Sequence, residues 1–185
     1  MKYLIAGLGN IGDEYQNTRH NIGFRIVDAL AASAETEFQD RRYGFVKKMK
    51  YKSRWLVLLK PSTYVNLCGR AVHYWLKKEK IPVDHLLVIA DDISLPFGKL
   101  RLKPRGGDGG HNGLAHINTI LGTNDYPRLR FGIGHNFPPG NQVDYVLSEW
   151  TKEERTELPG HIKRATEIIL SFVTIGIERT MNLYN

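Results

Sequence analysis

The stretch IAGLGNIGDEYQNTRHNIGF, residues 5–24, joins a short apolar run to GLGNIG (Gly7 to Gly12), which matches G-x-G-x-x-G. That pattern cradles a dinucleotide pyrophosphate when a helix starts at the motif and an acidic residue ends a second strand about 20 residues on. Neither condition is met. The polar loop DEYQNTRHN follows the glycines, the next helix begins around Asn21, and Ala32 stands where the acid would be sought. The glycines therefore read as a tight turn after a buried strand over residues 2–6. The turn leaves the carboxamide of Asn10 at the carboxyl edge of a sheet, where ligands of open α/β sheets bind. Just beyond it stands His20, flanked by Arg19 and Asn21.

Outward from this stretch, Ile22, Ile26, Val27 and Leu30 recur at helical spacing. YGFVKKMKY (43–51) and RWLVLLK (54–60) read as a strand hairpin, the second strand stopped by Pro61. Ala71, Val72, Trp75 and Leu76 mark a helix, and HLLVIAD (85–91) is the most apolar strand. KLRLK (99–103) alternates as a strand. The glycine-rich loop PRGGDGGHNG (104–113) leads to a helix over 114–121, and RLRFGIG (128–134) is a further strand. Residues 135–142 read as a loop. The segment from Thr151 to Tyr184 reads as helical, interrupted near Pro159-Gly160. Interleaved strands and helices with hairpin neighbours predict one α/β domain over residues 1–185, a twisted mixed sheet sandwiched between helices.

The chain has 185 residues, enough for a real core, and its 42% hydrophobic and 24% charged content is that of a soluble globular protein. Lys plus Arg exceed Asp plus Glu by 26 to 19, a formal charge of +7, which favours polyanionic partners. The basic run KKMKYKSR (47–54) reads most simply as a solvated hairpin. Cys68 stands alone, so no internal disulfide forms and a reducing compartment fits. The opening MKYLIAGLGN is too short an apolar run for a signal peptide, and no run spans a bilayer, so the expectation is a cytoplasmic protein without a membrane partner.

Polar side chains gather near the predicted strand ends. KPSTYVNLCG (60–69) offers Asn66, IADDISLPFG (89–98) offers Asp91 and Asp92, and GGDGGHNG (106–113) offers His111 and Asn112. A site holding His, Asp and several Asn suits metal-independent hydrolysis: His takes a proton from water, Asp fixes its tautomer, and amides hold a developing oxyanion. H-E-x-x-H, G-x-S-x-G and the P-loop pattern are all absent. A lone cysteine in an apolar-leaning segment reads as a small buried side chain.

GLGNIGDEYQNTRHNIGF, LLKPSTYVNLCGRAV, DDISLPFGKLRLK and GGDGGHNGL, in this order and spacing, resemble bacterial peptidyl-tRNA hydrolase from residue 3 to about 147. The resemblance implies an esterase that frees the peptide from the 3′ end of tRNA, recycling peptidyl-tRNA during translation, with no cofactor and no metal. It implies His20 as the catalytic base and Asp91 as the carboxylate that orients it. Asn10, Asn66 and Asn112 would hold the peptide carbonyl, the terminal ribose and the attacking water. Tyr15 and Tyr64 fall with the substrate-binding residues, and Lys103, Arg105 and Arg130 near the positions for tRNA phosphates. The expected partner is peptidyl-tRNA, with no obligate protein partner and a monomeric chain. Val65, Cys68, Ala90 and Ser94 depart from the family's usual Met, Ser, His and Asp, and Asp108 adds a negative charge to the glycine loop. Asp92 reads as structural, and His111 could equally brace that loop. A second class stays open, since splicing-factor relatives share the fold and act on RNA without hydrolysis.

Overall fold

The computed structural model describes residues 1–185. β1 (Lys2–Gly7), β4 (Arg54–Pro61), β5 (Leu86–Asp92) and β7 (Arg128–Gly132) are parallel neighbours at the centre of a seven-stranded sheet. β2 (Gln39–Arg41) and β3 (Gly44–Tyr51) extend it antiparallel on one side, and β6 (Leu100–Lys103) on the other. The order is β2-β3-β4-β1-β5-β7-β6, a mixed sheet as expected.

The central strands are apolar on both faces because both faces are covered. Tyr3, Ile5, Leu56, Leu58, Leu87 and Ile89 point toward α1 (Ile22–Ala31) and α5 (Lys152–Ile175). Their alternates Leu4, Ala6, Val57, Leu59, Val88 and Ala90 point toward α2 (Gly69–Glu79) and α3 (Asn112–Leu121). α4 (Gln142–Val146) packs against the turn at residues 19–21, and α6 (Ile177–Tyr184) packs against β6. Beside α6, the carboxamide of Asn185 closes the outer side of β6. It accepts from the Leu102 N–H at 2.8 Å and donates to the Leu102 carbonyl at 2.7 Å.

The glycines of the opening motif serve packing. A Cβ on Gly7 would lie 2.3 Å from the Gly23 carbonyl oxygen, and one on Gly23 would lie 2.5 Å from the Leu8 nitrogen. Two facing glycines let α1 sit directly on the end of β1. No parallel strand follows α1, since β2 is a three-residue antiparallel piece.

Several expectations are corrected. α5 runs unbroken through Pro159-Gly160 and the break falls at Gly176, whose φ is 87°. A proline inside a helix forfeits one backbone hydrogen bond. Here a capping box at Thr151 and Glu154 starts the helix, and the buried stripe Leu158, Ile162, Ala165, Ile169 and Phe172 carries it across. α3 starts at Asn112, two residues early, because the His111 ring caps it. The 13–21 loop contains two 3₁₀ turns, and the short elements β2 and α4 were not foreseen. Lys47 is buried, not solvated, and donates to the carbonyls of Ala31 and Ala34 at the end of α1, at 2.7 and 3.0 Å.

Candidate active site

The carboxyl ends of β1, β5 and β7 open into a cleft of about 350 Å³. Asn10, His20, Tyr64, Asn66, Asp91, Asn112 and Arg130 all line it, brought together from segments up to 120 residues apart. Tyr15, Lys103 and Arg105 lie outside its lining. Tyr15 ends the 3₁₀ turn Asp13–Tyr15, where its carbonyl accepts from the Thr18 hydroxyl at 2.8 Å. Lys103 and Arg105 are exposed at and after the end of β6.

Asp91 sits at the penultimate position of β5, buried, and receives two imidazoles. His20 Nδ1 lies 2.9 Å from both carboxylate oxygens, and His111 Nε2 lies 2.9 Å from Oδ1. His111 Nδ1 accepts from the N–H groups of Gly113 and Leu114 at 3.1 and 3.3 Å, so it carries no proton. Its Nε2–H is therefore the donor to Asp91. His20 likewise gives its Nδ1–H to the carboxylate, which leaves Nε2 with a free lone pair.

Burial opposes the charged form of each group, yet the pair prevails. Burial alone would lower the His20 pKa, but the charge and hydrogen bond of Asp91 raise it above the ordinary 6.5. Burial would raise the Asp91 carboxyl, but the two imidazoles hold it well below the usual carboxylate range. Asp91 is therefore ionised at neutral pH.

Asn10 is equally constrained. Its carboxamide oxygen accepts from the Val65 N–H at 2.8 Å, which leaves the Nδ2 protons as its free donors. The Asn21 side chain brackets the Asn10 backbone, accepting from its N–H at 2.9 Å and donating to its carbonyl at 2.8 Å. Asn112 stands at the first turn of α3, and Asn66 lies in the 3₁₀ turn Val65–Leu67. An apolar wall of Val65, Ile93, Leu114, Val143, Val146 and Leu147 completes the cleft.

Neighbouring polar residues hold this frame. Asp92 accepts from the Ser94 N–H and hydroxyl at 2.8 and 2.6 Å and pairs with Arg130 at 3.3 Å, in keeping with a structural role. Arg130 and the fully buried Arg128 both donate to the Gly107 carbonyl, at 2.7 and 3.1 Å, gripping the glycine loop. The Cys68 thiol is pushed up to about 12 by burial and faces the Gly113 carbonyl at 3.5 Å, so it is no nucleophile at neutral pH. His20, Asp91 and His111 place three potential metal donors within 4.8 Å of one another. Two of those donors are N–H groups spent on the third, at hydrogen-bond spacing. A metal would have to displace both protons, so the arrangement fits a base on a carboxylate better than an ion site. The second imidazole on Asp91, the Asn21 bracket and the α4 wall were not read from sequence. The wall helix has only five residues, too few to show a period.

An imidazole with a free lone pair, seated on a buried carboxylate and ringed by amides at the strand ends of an α/β sheet, is an arrangement suited to hydrolysis. A family model described as peptidyl-tRNA hydrolase matches residues 4–185. The chain is 56% identical over 185 residues to the peptidyl-tRNA hydrolase of Phocaeicola vulgatus, covering all of this chain and 99% of that one. It is 57% identical to that of Azobacteroides pseudotrichonymphae, each covered in full. The solved peptidyl-tRNA hydrolase of Acinetobacter baumannii superposes with a TM-score of 0.93 at 33% identity, over 99% of this chain and 94% of that one. The chain belongs to the peptidyl-tRNA hydrolase family, and is thereby a hydrolase acting on an ester bond.

Proposed function

We propose that the protein hydrolyses the ester between a peptide and the 3′ end of tRNA, with His20 as general base on water and Asp91 as its orienting carboxylate. The observation that carries this is the 2.9 Å contact between His20 Nδ1 and Asp91, which leaves Nε2 free to accept a proton. Water gives its proton to Nε2 as its oxygen attacks the ester carbonyl, and Asp91 stabilises the imidazolium that forms. The Nδ2 protons of Asn10 meet the negative charge growing on the carbonyl oxygen. Asn112 holds the attacking water and Asn66 the terminal ribose, with Tyr64 at the cleft rim. Collapse of the tetrahedral intermediate returns the proton from His20 to the departing ribose oxygen. The apolar wall receives the side chain of the esterified residue.

Tyr15, Lys103, Arg105 and Arg130 belong to substrate binding in this reading, the basic residues contacting tRNA phosphates. In this reading the protein works in the cytoplasm as a monomer that needs no cofactor. No helix of the chain is long and apolar enough to cross a membrane. Release of N-acetyl-aminoacyl groups from tRNA by the purified protein tests the reading. Release by the wild type and its loss in His20→Asn supports it. Tight tRNA binding without release would place the chain with the RNA-binding relatives of this fold.

A further inference from the structure

Arg19 precedes His20, yet its side chain is buried and turned to the segment after α4. Both terminal nitrogens of its guanidinium are hydrogen-bonded. Nη1 donates to the Ser148 hydroxyl and to the Glu149 carbonyl, the latter at 2.6 Å, and Nη2 donates to Glu154 Oε1 at 2.8 Å. The group also lies over the rings of Tyr145 and Trp150, at 4.3 and 5.6 Å. The backbone repeats the connection: Arg19 N–H donates to the Ser148 carbonyl at 3.0 Å, and Thr18 forms an antiparallel bridge with Glu149.

Apart from Glu154 in the first turn of α5, these partners lie in or just after α4, whose Val143 and Val146, with Leu147, form one wall of the cleft. Glu154 is shared again, since its Oε1 accepts from the Thr151 N–H at 2.8 Å while its own N–H donates to the Thr151 hydroxyl at 3.1 Å. One guanidinium thus ties together the turn that carries His20, the helix that walls the cleft and the head of α5. A buried ion pair is a weak stabiliser, and its best-attested use is to fix geometry. A lysine could keep the charge at Glu154 but could not reproduce the fork across three acceptors or the stacking on Tyr145.

We propose that Arg19 is a positioning residue for ester hydrolysis, a strut that sets the His20 turn against the α4 wall and so keeps the imidazole seated on Asp91. This rests on His20 being the base. The test compares Arg19→Met, Arg19→Lys and, as a control for lost stability alone, Ile168→Val in the α5 core. Readouts are kcat and KM on peptidyl-tRNA, the pH midpoint of kcat/KM, and thermal unfolding. The ionisable groups facing His20 are Asp91 from β5 and His111 from the head of α3, with Asp92, Asp108 and Arg130 in the same cleft lining. None of them is altered.

Displacing a catalytic group by about 1 Å costs on the order of 100-fold. Arg19→Met is accordingly expected to lose about 10- to 100-fold in kcat, with the pH midpoint falling as His20 drifts from Asp91. Arg19→Lys should recover part of both, and Ile168→Val should change neither. A folded Arg19→Met with kcat within about twofold of wild type and an unmoved midpoint overturns the proposal. Should Arg19→Met fail to fold, Arg19→Lys decides: a lowered kcat and midpoint support the strut, and wild-type values overturn it. If His20→Asn keeps its turnover, the base assignment itself is wrong. An inactive His20→Asn beside a normal Arg19→Met removes the strut alone.

Discussion

Asp91 accepts an N–H from each of two imidazoles, and this fixes the tautomer of both rings. Positioned general-base catalysis is worth about 10²–10⁴ in rate, so His20→Ala should lower kcat on that scale in steady-state assays while tRNA affinity holds. The base acts when neutral. Because Asp91 raises its pKa above 6.5, kcat/KM should climb with pH through a midpoint above that value. Asp91→Asn removes the carboxylate and leaves burial to act alone, so the midpoint should drop and kcat with it. Asp92→Asn should leave both near wild type. The same pair links to folding: its contribution is complete below pH 6.5 on the His20 side and fades as pH rises through the raised value. On the Asp91 side it is present above the ordinary carboxylate range and fades as the pH falls toward its depressed value. That Asn10, His20, Asn66, Asp91 and Asn112 gather at one cleft was legible because each follows a local turn or strand-end signal. The second imidazole and the Arg19 strut depend on contacts spanning 20 and about 130 residues, which no local pattern encodes.

Among the elements, α1 sits on β1 only because Gly7 and Gly23 face each other. Gly23→Ala would drive a Cβ into backbone at 2.5 Å, and such overpacking costs about 1–3 kcal/mol, measurable by urea denaturation. Gly160→Ala makes the opposite case. A Cβ there meets nothing within 4 Å, and alanine in a helix interior gains about 0.5–1 kcal/mol over glycine. The central strands were readable as short apolar runs, and α1 and α2 from apolar residues at helical spacing. α5 was misread at Pro159-Gly160 because local propensity argued for a break, whereas burial of its long apolar stripe decided the outcome. β2 and α4, with three and five residues, are too short to carry a period.

Across the whole molecule the excess positive charge is unevenly spent. In the β6–β7 ladder Arg101 stands opposite Arg130 and Lys103 opposite Arg128. Arg128 is buried on backbone carbonyls and Arg130 is held by Asp92 and Gly107, which leaves Lys103 as the exposed cation of that ladder. If it meets tRNA phosphates, affinity should fall with salt at a logarithmic slope of roughly 0.7–0.9 per phosphate. Lys103→Ala should then raise KM for full-length peptidyl-tRNA and flatten the salt dependence, with little effect on a short CCA-end mimic. Arg130 tests the idea less cleanly, because it also grips Gly107 and Asp92. Equal damage on the mimic at Lys103 would assign that residue to the reacting centre.

The Asn185 carboxamide bears on a different property, how the protein behaves when crowded with its own copies. An open sheet edge is a template for another chain. One border of this sheet is β2, three exposed polar residues, too short and too charged to recruit a strand. The other is β6, whose outward Leu102 N–H and carbonyl are occupied by Asn185 as a neighbouring strand would occupy them. That side chain works as a stopper against edge-to-edge growth. Concentrated Asn185→Ala should scatter progressively more light on storage and bind amyloid dyes. A clear solution would show that Arg101 and Lys103 of β6 suffice to keep copies apart.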